Sequence, residues 1–408
     1  MRSAKRFLAI LLSLAVLLAV GCSKGQPSGG DNGPPADPNT PVDGGTLYLS
    51  MYSAPKGVFN PILYEDQYDS YIIGLVFNGL MRFNEKLEFI CDLCETYSIS
   101  PDNKTVNFTL KKGLKWHDGQ PLTTKDVAFT FQAMLHPDYT GVRTGDFAAL
   151  AGVQKMLDDR DAMAQDVKDK KLTDEEATKK RNAAWEAWLA GPGKQAINVK
   201  DDLNISFTTD DPYAPLLNSL SYSIIPEHIY KTTSIAKMEE NPAVKKPIGS
   251  GPFKFVDFKG DQYVELARNE NYHLGKPHIE KIIYKIVNQD VAIGQIKTGE
   301  IDYLISNPSN IDMLQGDKNI KIIENADFGY QYMGFNFDRK PLDDKRVRQA
   351  IMFGIDRKSM VDQILKGHGT IMNSHMPPSL WAYDASQLNP YDYNPTKASE
   401  LLAQAGYT

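Results

Sequence analysis

Residues Pro247 to Tyr272 read PIGSGPFKFVDFKGDQYVELARNENY, and the reading of this stretch decides the fold. Gly249-Ser250-Gly251-Pro252 sets two glycines and a proline in one tight bend, where the backbone can approach a neighbour or a ligand with no Cβ in the way. Phe253, Phe255 and Phe258 lead to a Gly260-Asp261 turn, after which Tyr263, Glu265 and Ala267 alternate with Val264, Leu266 and Arg268. A period of two on both sides of a Gly-Asp turn predicts a β-hairpin.

The flanking chain supplies both helices and strands. Thr46 to Met51 alternates as a half-buried strand, and Tyr71 to Met81 carries Ile72, Ile73, Val76, Phe77 and Leu80 at helical spacing. Glu95–Ser100 and Thr105–Leu110 read as two strands around a Pro101-Asp102-Asn103 turn. Thr123, three residues before Asp126, can cap a helix bearing Val127, Ala128, Phe131 and Met134. Residues 151–189 predict a helical hairpin, with a Thr173/Glu176 capping box and a Trp185, Trp188, Leu189 stripe that stops at Gly191-Pro192-Gly193. Ala196–Thr209 returns to strand, Pro212–Leu220 starts a helix, and Ile279–Val287 is an apolar strand long enough to cross between lobes. A helix over Val291–Lys297, a strand over Tyr330–Asn336, a helix from Pro341 and another capped by Asp356 follow, with Arg348 and Asp356 expected to pair.

With 408 residues, 42% hydrophobic and 24% charged, the chain is large enough for two or three soluble domains. Its N-terminus differs. Arg2, Lys5 and Arg6 precede an apolar run from Phe7 to Val20, shorter than the ~20 residues of a membrane-spanning helix. This is the pattern of a secretory signal segment. Gly21-Cys22 closes the run, and the next stretch is dominated by Gly, Pro, Asp and Ser, a composition that buries no core and extends over roughly 25 to 30 Å as a coil. Loss of Arg2, Lys5 and Arg6 takes the formal charge from −6 to −9, which argues against nucleic-acid binding.

Several segments together resemble one family. Gly-Ser-Gly-Pro-Phe with Arg268-Asn269-Glu270-Asn271-Tyr272, the run Lys111-Lys112-Gly113-Leu114-Lys115-Trp116-His117-Asp118-Gly119-Gln120-Pro121, Gly299-Glu300-Ile301-Asp302, and Leu401-Leu402-Ala403-Gln404-Ala405-Gly406-Tyr407 are similar to the extracellular solute-binding proteins of the oligopeptide, dipeptide and nickel class of ABC importers. Gly21-Cys22 resembles a bacterial lipobox, with Cys22 as the lipidated residue. The resemblance implies an α/β, two-lobe, periplasmic-binding-protein-like clamshell with an added subdomain in the first lobe. The expected division is a signal peptide over 1–21, a tether over 22–45, a first lobe over 46–75 and 196–285, a subdomain over 76–195, and a second lobe over 286–408, incomplete because relatives continue further.

In such proteins the loop after an Asn-Pro or Asp-Pro point lies at the cleft mouth; Glu65, Asp66 and Gln67 match it here, after Asn60-Pro61. Ser250 and Gly251 are the further ligand-binding candidates at the bend. The implied function is capture of a peptide or other small solute and delivery to an ABC permease by a membrane-tethered monomer, with no cofactor, metal or catalytic residue; the alternative is a secreted peptide hydrolase. Chemistry-bearing motifs are few. There is no Walker loop or Gly-x-Gly-x-x-Gly. The seven histidines are scattered, and His117 beside Asp118 has no nucleophile nearby in sequence, which favours turn packing. Cys91-x-x-Cys94 has no second pair to complete a zinc set and reads as two small buried side chains or, if oxidised, a local structural bridge.

Overall fold

The computed structural model describes residues 40–325, 329–378, 380 and 383–407; Cys22, with the signal segment and most of the tether, lies outside them. Strand β1 (Thr46–Met51) precedes helix α1 (Gln67–Val76), the pair β2 (Met81–Phe83) and β3 (Phe89–Cys91), and strands β4 (Cys94–Ile99) and β5 (Thr105–Leu110). Helices α2 (Thr124–Leu135), α3 (Val153–Lys168) and α4 (Asp174–Ala190) come next. Then follow β6 (Ile197–Val199), β7 (Asn204–Thr208), β8 (Phe253–Lys259), β9 (Tyr263–Arg268), β10 (Lys281–Ile286), α5 (Gln289–Thr298), α6 (Lys345–Gly354) and α7 (Pro395–Gln404), joined by single-turn helices.

One sheet has the order β1-β10-β9-β8. β8 and β9 are the expected hairpin, with Val264 and Leu266 fully buried and their neighbours half-exposed, as the alternation requires. β10 is its central partner, antiparallel to β9 and parallel to β1, so residues 281–286 lie beside 46–51. The second sheet, β4-β5-β7-β6, packs Phe108 and Phe207 against Phe131 of α2, with Phe131 and Phe207 ring centroids 5.0 Å apart. The hairpin of α3 and α4 forms as expected: Thr173 and Glu176 cap each other, Trp185 stacks on Trp188 at 5.2 Å, and Trp188 Nε1 donates to Ala151 O at 2.9 Å. A separate small core joins Ala350 to Ala398 and Leu401.

Several local expectations change. The helix expected over 71–81 starts at Gln67 because Asp66 caps it, and ends at Val76 because Asn78 and Gly79 leave it to bond Ile224 and pair with Ser223. Residues 196–209 are two strands, not one, folded at Asp201, whose carboxylate accepts from Leu203 and Asn204 N–H. β7 pairs with β5 and β6 with β7, so residues 197–199 and 204–208, assigned from sequence to the first lobe, extend the sheet of β4 and β5. Only Leu216–Ser219 of the helix expected from Pro212 is helical. Tyr330–Asn336 is in no ladder among the described residues. Arg348 does not pair with Asp356; its guanidinium donates to Leu342 O and Asp343 O and lies over Phe337, while Asp356 caps Ser359. Cys91 and Cys94 are joined as a disulfide.

The Gly249–Gly251 bend docks edge-on against the end of α1. Gly251 N–H donates to Val76 O at 2.8 Å, and a Cβ on Gly251 would sit within 2.6 Å of Val76 C. His117 locks the other side: Gly249 N–H donates to its Nδ1 and its Nε2–H donates to Gly251 O at 3.0 Å, so the ring is neutral, and burial pushes its pKa down to about 4. Asn269 Nδ2 reaches the same Gly251 O. Because these are backbone contacts that cannot yield, Gly251→Val should destabilise the fold by about 3 kcal/mol or more. The urea midpoint reports this; an unchanged midpoint would mean that the two backbones do not meet.

Candidate functional site

β1 and β10 run parallel, so their C-terminal ends emerge together, and Val287 N–H closes onto Met51 O at 2.9 Å. Carboxyl ends of adjacent strands are where α/β folds commonly place ligands. Ile301–Tyr303 adds itself beside β1: Tyr48 N–H donates to the Asp302 carboxylate at 2.7 Å, Asp302 N–H to Tyr48 O, and Ser50 N–H to Tyr303 O. The Gly-Glu-Ile-Asp segment is thereby explained. Gly299 takes the left-handed conformation that ends α5, Ile301 is buried, and Asp302 pins the edge.

Tyrosines converge here from separate elements: Tyr52 after β1, Tyr68 and Tyr71 on α1, Tyr284 on β10, and Tyr303. Tyr68 and Tyr71 meet edge-to-face at 5.8 Å, Tyr52 donates its hydroxyl to Ile305 O, and Tyr284 lies within electrostatic reach of Tyr71 and Tyr303. Burial pushes the Tyr284 hydroxyl up to about 12 and raises Tyr52 and Tyr68 as well. The surface is therefore neutral and aromatic, with hydroxyls that donate and accept. Tyr303 and Ile305 remain 55% exposed, free to meet a ligand.

The loop leading into α1 is held from behind. Arg143 is buried between the Tyr64 and Tyr222 rings and donates to Ile62 O at 3.0 Å and Tyr64 O at 2.9 Å; Tyr139 donates to Ile62 O. Arg143 was not singled out from sequence, and nothing adjacent to it marks a clamp reaching back some eighty residues. Asp69, fully buried on the first turn of α1, accepts from Gly57 N–H at 2.9 Å, while its second oxygen has no hydrogen bond of good geometry among the described residues.

The sequence-derived candidates separate into two places. Asp66 is the N-cap of α1 and accepts from Tyr68 N–H at 2.8 Å; Gln67 is helical, not loop, and donates to Tyr71 OH at 2.8 Å. Glu65 is exposed, with no hydrogen bond or ion pair among the described residues. These three border the tyrosines. Ser250 and Gly251 lie at the other end of α1, about 15 Å away along ten helical residues. Both are buried; Ser250 Oγ donates to Asn78 Oδ1, and Gly251 packs on Val76. The structure does not bring them to Glu65, because their role in the bend is to approach helical backbone.

The family model for bacterial extracellular solute-binding proteins, family 5 Middle, matches residues 88–408. The chain belongs to this family of solute-binding proteins. It is 29% identical to the oligopeptide-binding protein AppA of Bacillus subtilis over 409 residues, covering 100% of the chain and 67% of that protein. The structure of that AppA in complex with a nonapeptide superposes with a TM-score of 0.74 at 28% identity, covering 90% of this chain and 65% of that one. Heme-binding protein A of Haemophilus influenzae is 25% identical over 347 residues, covering 81% of this chain and 56% of that protein. NikZ from Campylobacter jejuni, in complex with Ni(L-His), gives a TM-score of 0.71 at 26% identity over 88% of this chain and 63% of that one. The chain thus spans 56% to 67% of these relatives' lengths. The α/β binding-protein fold expected from sequence is the fold found.

In this solute-binding chain, Asp69 links the site to pH. Burial raises its carboxyl above the ordinary 3.8, Asp66 adds to the rise, and the Gly57 and Val58 N–H groups oppose it. Between 3.8 and the elevated value the native state holds a proton that the unfolded chain releases, so stability falls as pH rises through that window and then levels. Asp69→Asn keeps an acceptor for Gly57 and removes the titration. The difference in urea midpoint between variant and parent should therefore shift in the variant's favour between about pH 3.5 and about pH 7; parallel curves would show that Asp69 does not titrate in the folded protein.

Proposed function

We propose that this chain captures a peptide outside the cytoplasmic membrane and presents it, unaltered, to the permease of an ABC importer. The observation that carries this is the neutral tyrosine surface at the joined ends of β1 and β10, bordered by the unpaired carboxylate of Glu65. Aromatic faces accept side chains of many kinds, tyrosine hydroxyls bond amide groups, and a free carboxylate matches a peptide's ammonium or basic side chain. Leu304–Ser306 runs past the Tyr303 bridge outside any ladder, a position where an added strand can lie. Family membership and the match to an oligopeptide-binding protein along the whole chain support the peptide assignment over other solutes.

In this proposal the first lobe is built on the β1-β10-β9-β8 sheet, the subdomain on the second sheet and the helical hairpin, and the second lobe starts near residue 286. Closure of two lobes on a ligand requires only that the closed form bind more tightly. The protein acts as a monomer, tethered at the extracytoplasmic face through lipid on Cys22. Cys22→Ala should move the protein from the membrane fraction to the soluble fraction, as immunoblotting reports; unchanged fractionation would remove the anchor. Glu65→Gln combined with Tyr303→Ala, both at exposed positions, should weaken binding of a peptide pool by about tenfold or more with the thermal midpoint unchanged. Native mass spectrometry should recover the peptides at their original masses. Undiminished binding in the double variant would exclude this surface, and new peptide termini would mean that the protein is a hydrolase.

A further inference from the structure

A cavity of about 390 Å³ opens between the two sheets' connecting loops, and its lining comes largely from segments that carry the family resemblance. Lys111, Lys112 and Lys115 stand on the loop after β5, Ser250 on the glycine bend, and Asn271 and His273 on the loop after β9, with Glu95 across from them. The volume is that of a small-molecule site rather than of one or two waters.

The floor is built and rigid. Asp92, 3% exposed inside the disulfide-closed turn Cys91–Cys94, accepts from Asn78 Nδ2 at 2.8 Å and is bonded by the His273 ring at 3.0 Å. Ser250, also 3% exposed, is fixed to Asn78, which in turn reaches Tyr272 OH. Lys111 Nζ donates to Asp92 O at 2.6 Å and to Cys94 O, so its charge is locked at the wall. Lys112 and Lys115 are exposed and have no hydrogen bond or ion pair among the described residues.

Lys111 is held by backbone carbonyls, so Lys112 and Lys115 are the cations left unpaired among the described residues, with Glu95 and the hydrogen-bonded Asp92 as the acids nearby, in a chain whose formal charge is −6. Like charges gathered around one cavity repel, and the arrangement is relieved when an anion occupies it. A carboxylate monoanion would satisfy one or two of these groups. A tetrahedral dianion presents enough acceptor oxygens for both unpaired lysines and the Asn271 amide together. We propose that this cavity binds a phosphate group, as inorganic phosphate or as the phosphate of an anionic lipid headgroup, with Lys112 and Lys115 closing on it over Ser250 and His273, which Asn78 and Asp92 hold from behind. The site is independent of the tyrosine surface at the other end of α1.

The test uses the full chain and isothermal titration with sodium phosphate against chloride at matched ionic strength, beside co-sedimentation with vesicles of phosphatidylglycerol or of phosphatidylcholine alone. Saturable phosphate binding, or sedimentation with phosphatidylglycerol only, is expected, and Lys112→Gln with Lys115→Gln should weaken it by about tenfold or more. Heat from phosphate without sedimentation assigns a free ligand, and sedimentation without heat assigns the headgroup. The double variant alters exposed side chains, so its thermal midpoint and peptide binding should match the parent. Absence of both phosphate heat and sedimentation, or binding that the double variant leaves intact, overturns the site.

Discussion

Two backbones meet where Gly249–Gly251 lies against Leu75–Phe77, and most of the architecture hangs on that approach. A side chain at either glycine would overlap the last carbonyls of α1, so the bend can exist only where Cβ atoms are missing. One of those helix-terminal carbonyls, Val76 O, is satisfied by Gly251 N–H instead of by water. The contact fixes the C-terminal end of α1 to the hairpin of β8 and β9. Since a helix is stiff over ten residues, it also fixes the other end, where Tyr68 and Tyr71 project.

The recurrent Arg-Asn-Glu-Asn-Tyr-His run gains a meaning residue by residue. Arg268 pairs with Asp43 and Glu270, Asn269 ties down Gly251 O, Tyr272 and His273 engage Asn78 and Asp92, and Asn271 faces the cavity between them. The exposed ion pairs scattered over the helices contribute little by comparison, at ~0 to 1 kcal/mol each. Stability lies in the aromatic packing of Phe108, Phe131, Phe147 and Phe207 and in buried polar groups that would be costly to leave unpaired.

Periodicity made the hairpin, the capping boxes at Thr123 and Thr173, and the helical pair legible in sequence, because local chemistry decides each of them. Asp66 admits two readings from sequence. An acidic residue before an apolar periodic run is a helix cap, yet the surrounding Tyr64–Tyr68 cluster also has the look of a ligand loop, and the residue does serve as the cap. Arg143 was illegible because its partners, Ile62 and Tyr64, are fixed by tertiary folding alone. Tyr330–Asn336 alternates like a strand, but a strand needs a ladder partner, which no local pattern supplies. The two glycines of the bend read as a close approach to a neighbour or a ligand, and the neighbour is a helix end, which no local pattern names.

Around the glycine bend, the groups capable of chemistry are engaged with backbone or with other side chains. His117 donates to Gly251 O and accepts from Gly249 N–H, which leaves neither nitrogen for a proton transfer. Ser250 Oγ bonds an amide oxygen rather than a base, and His273 is engaged with Asp92. Asp69 is turned inward to Gly57, and burial raises the Tyr52, Tyr68 and Tyr284 hydroxyls. What faces outward near the ends of β1 and β10 is aromatic surface bordered by the Glu65 carboxylate, unpaired among the described residues, a surface that can grip by area and orient by charge.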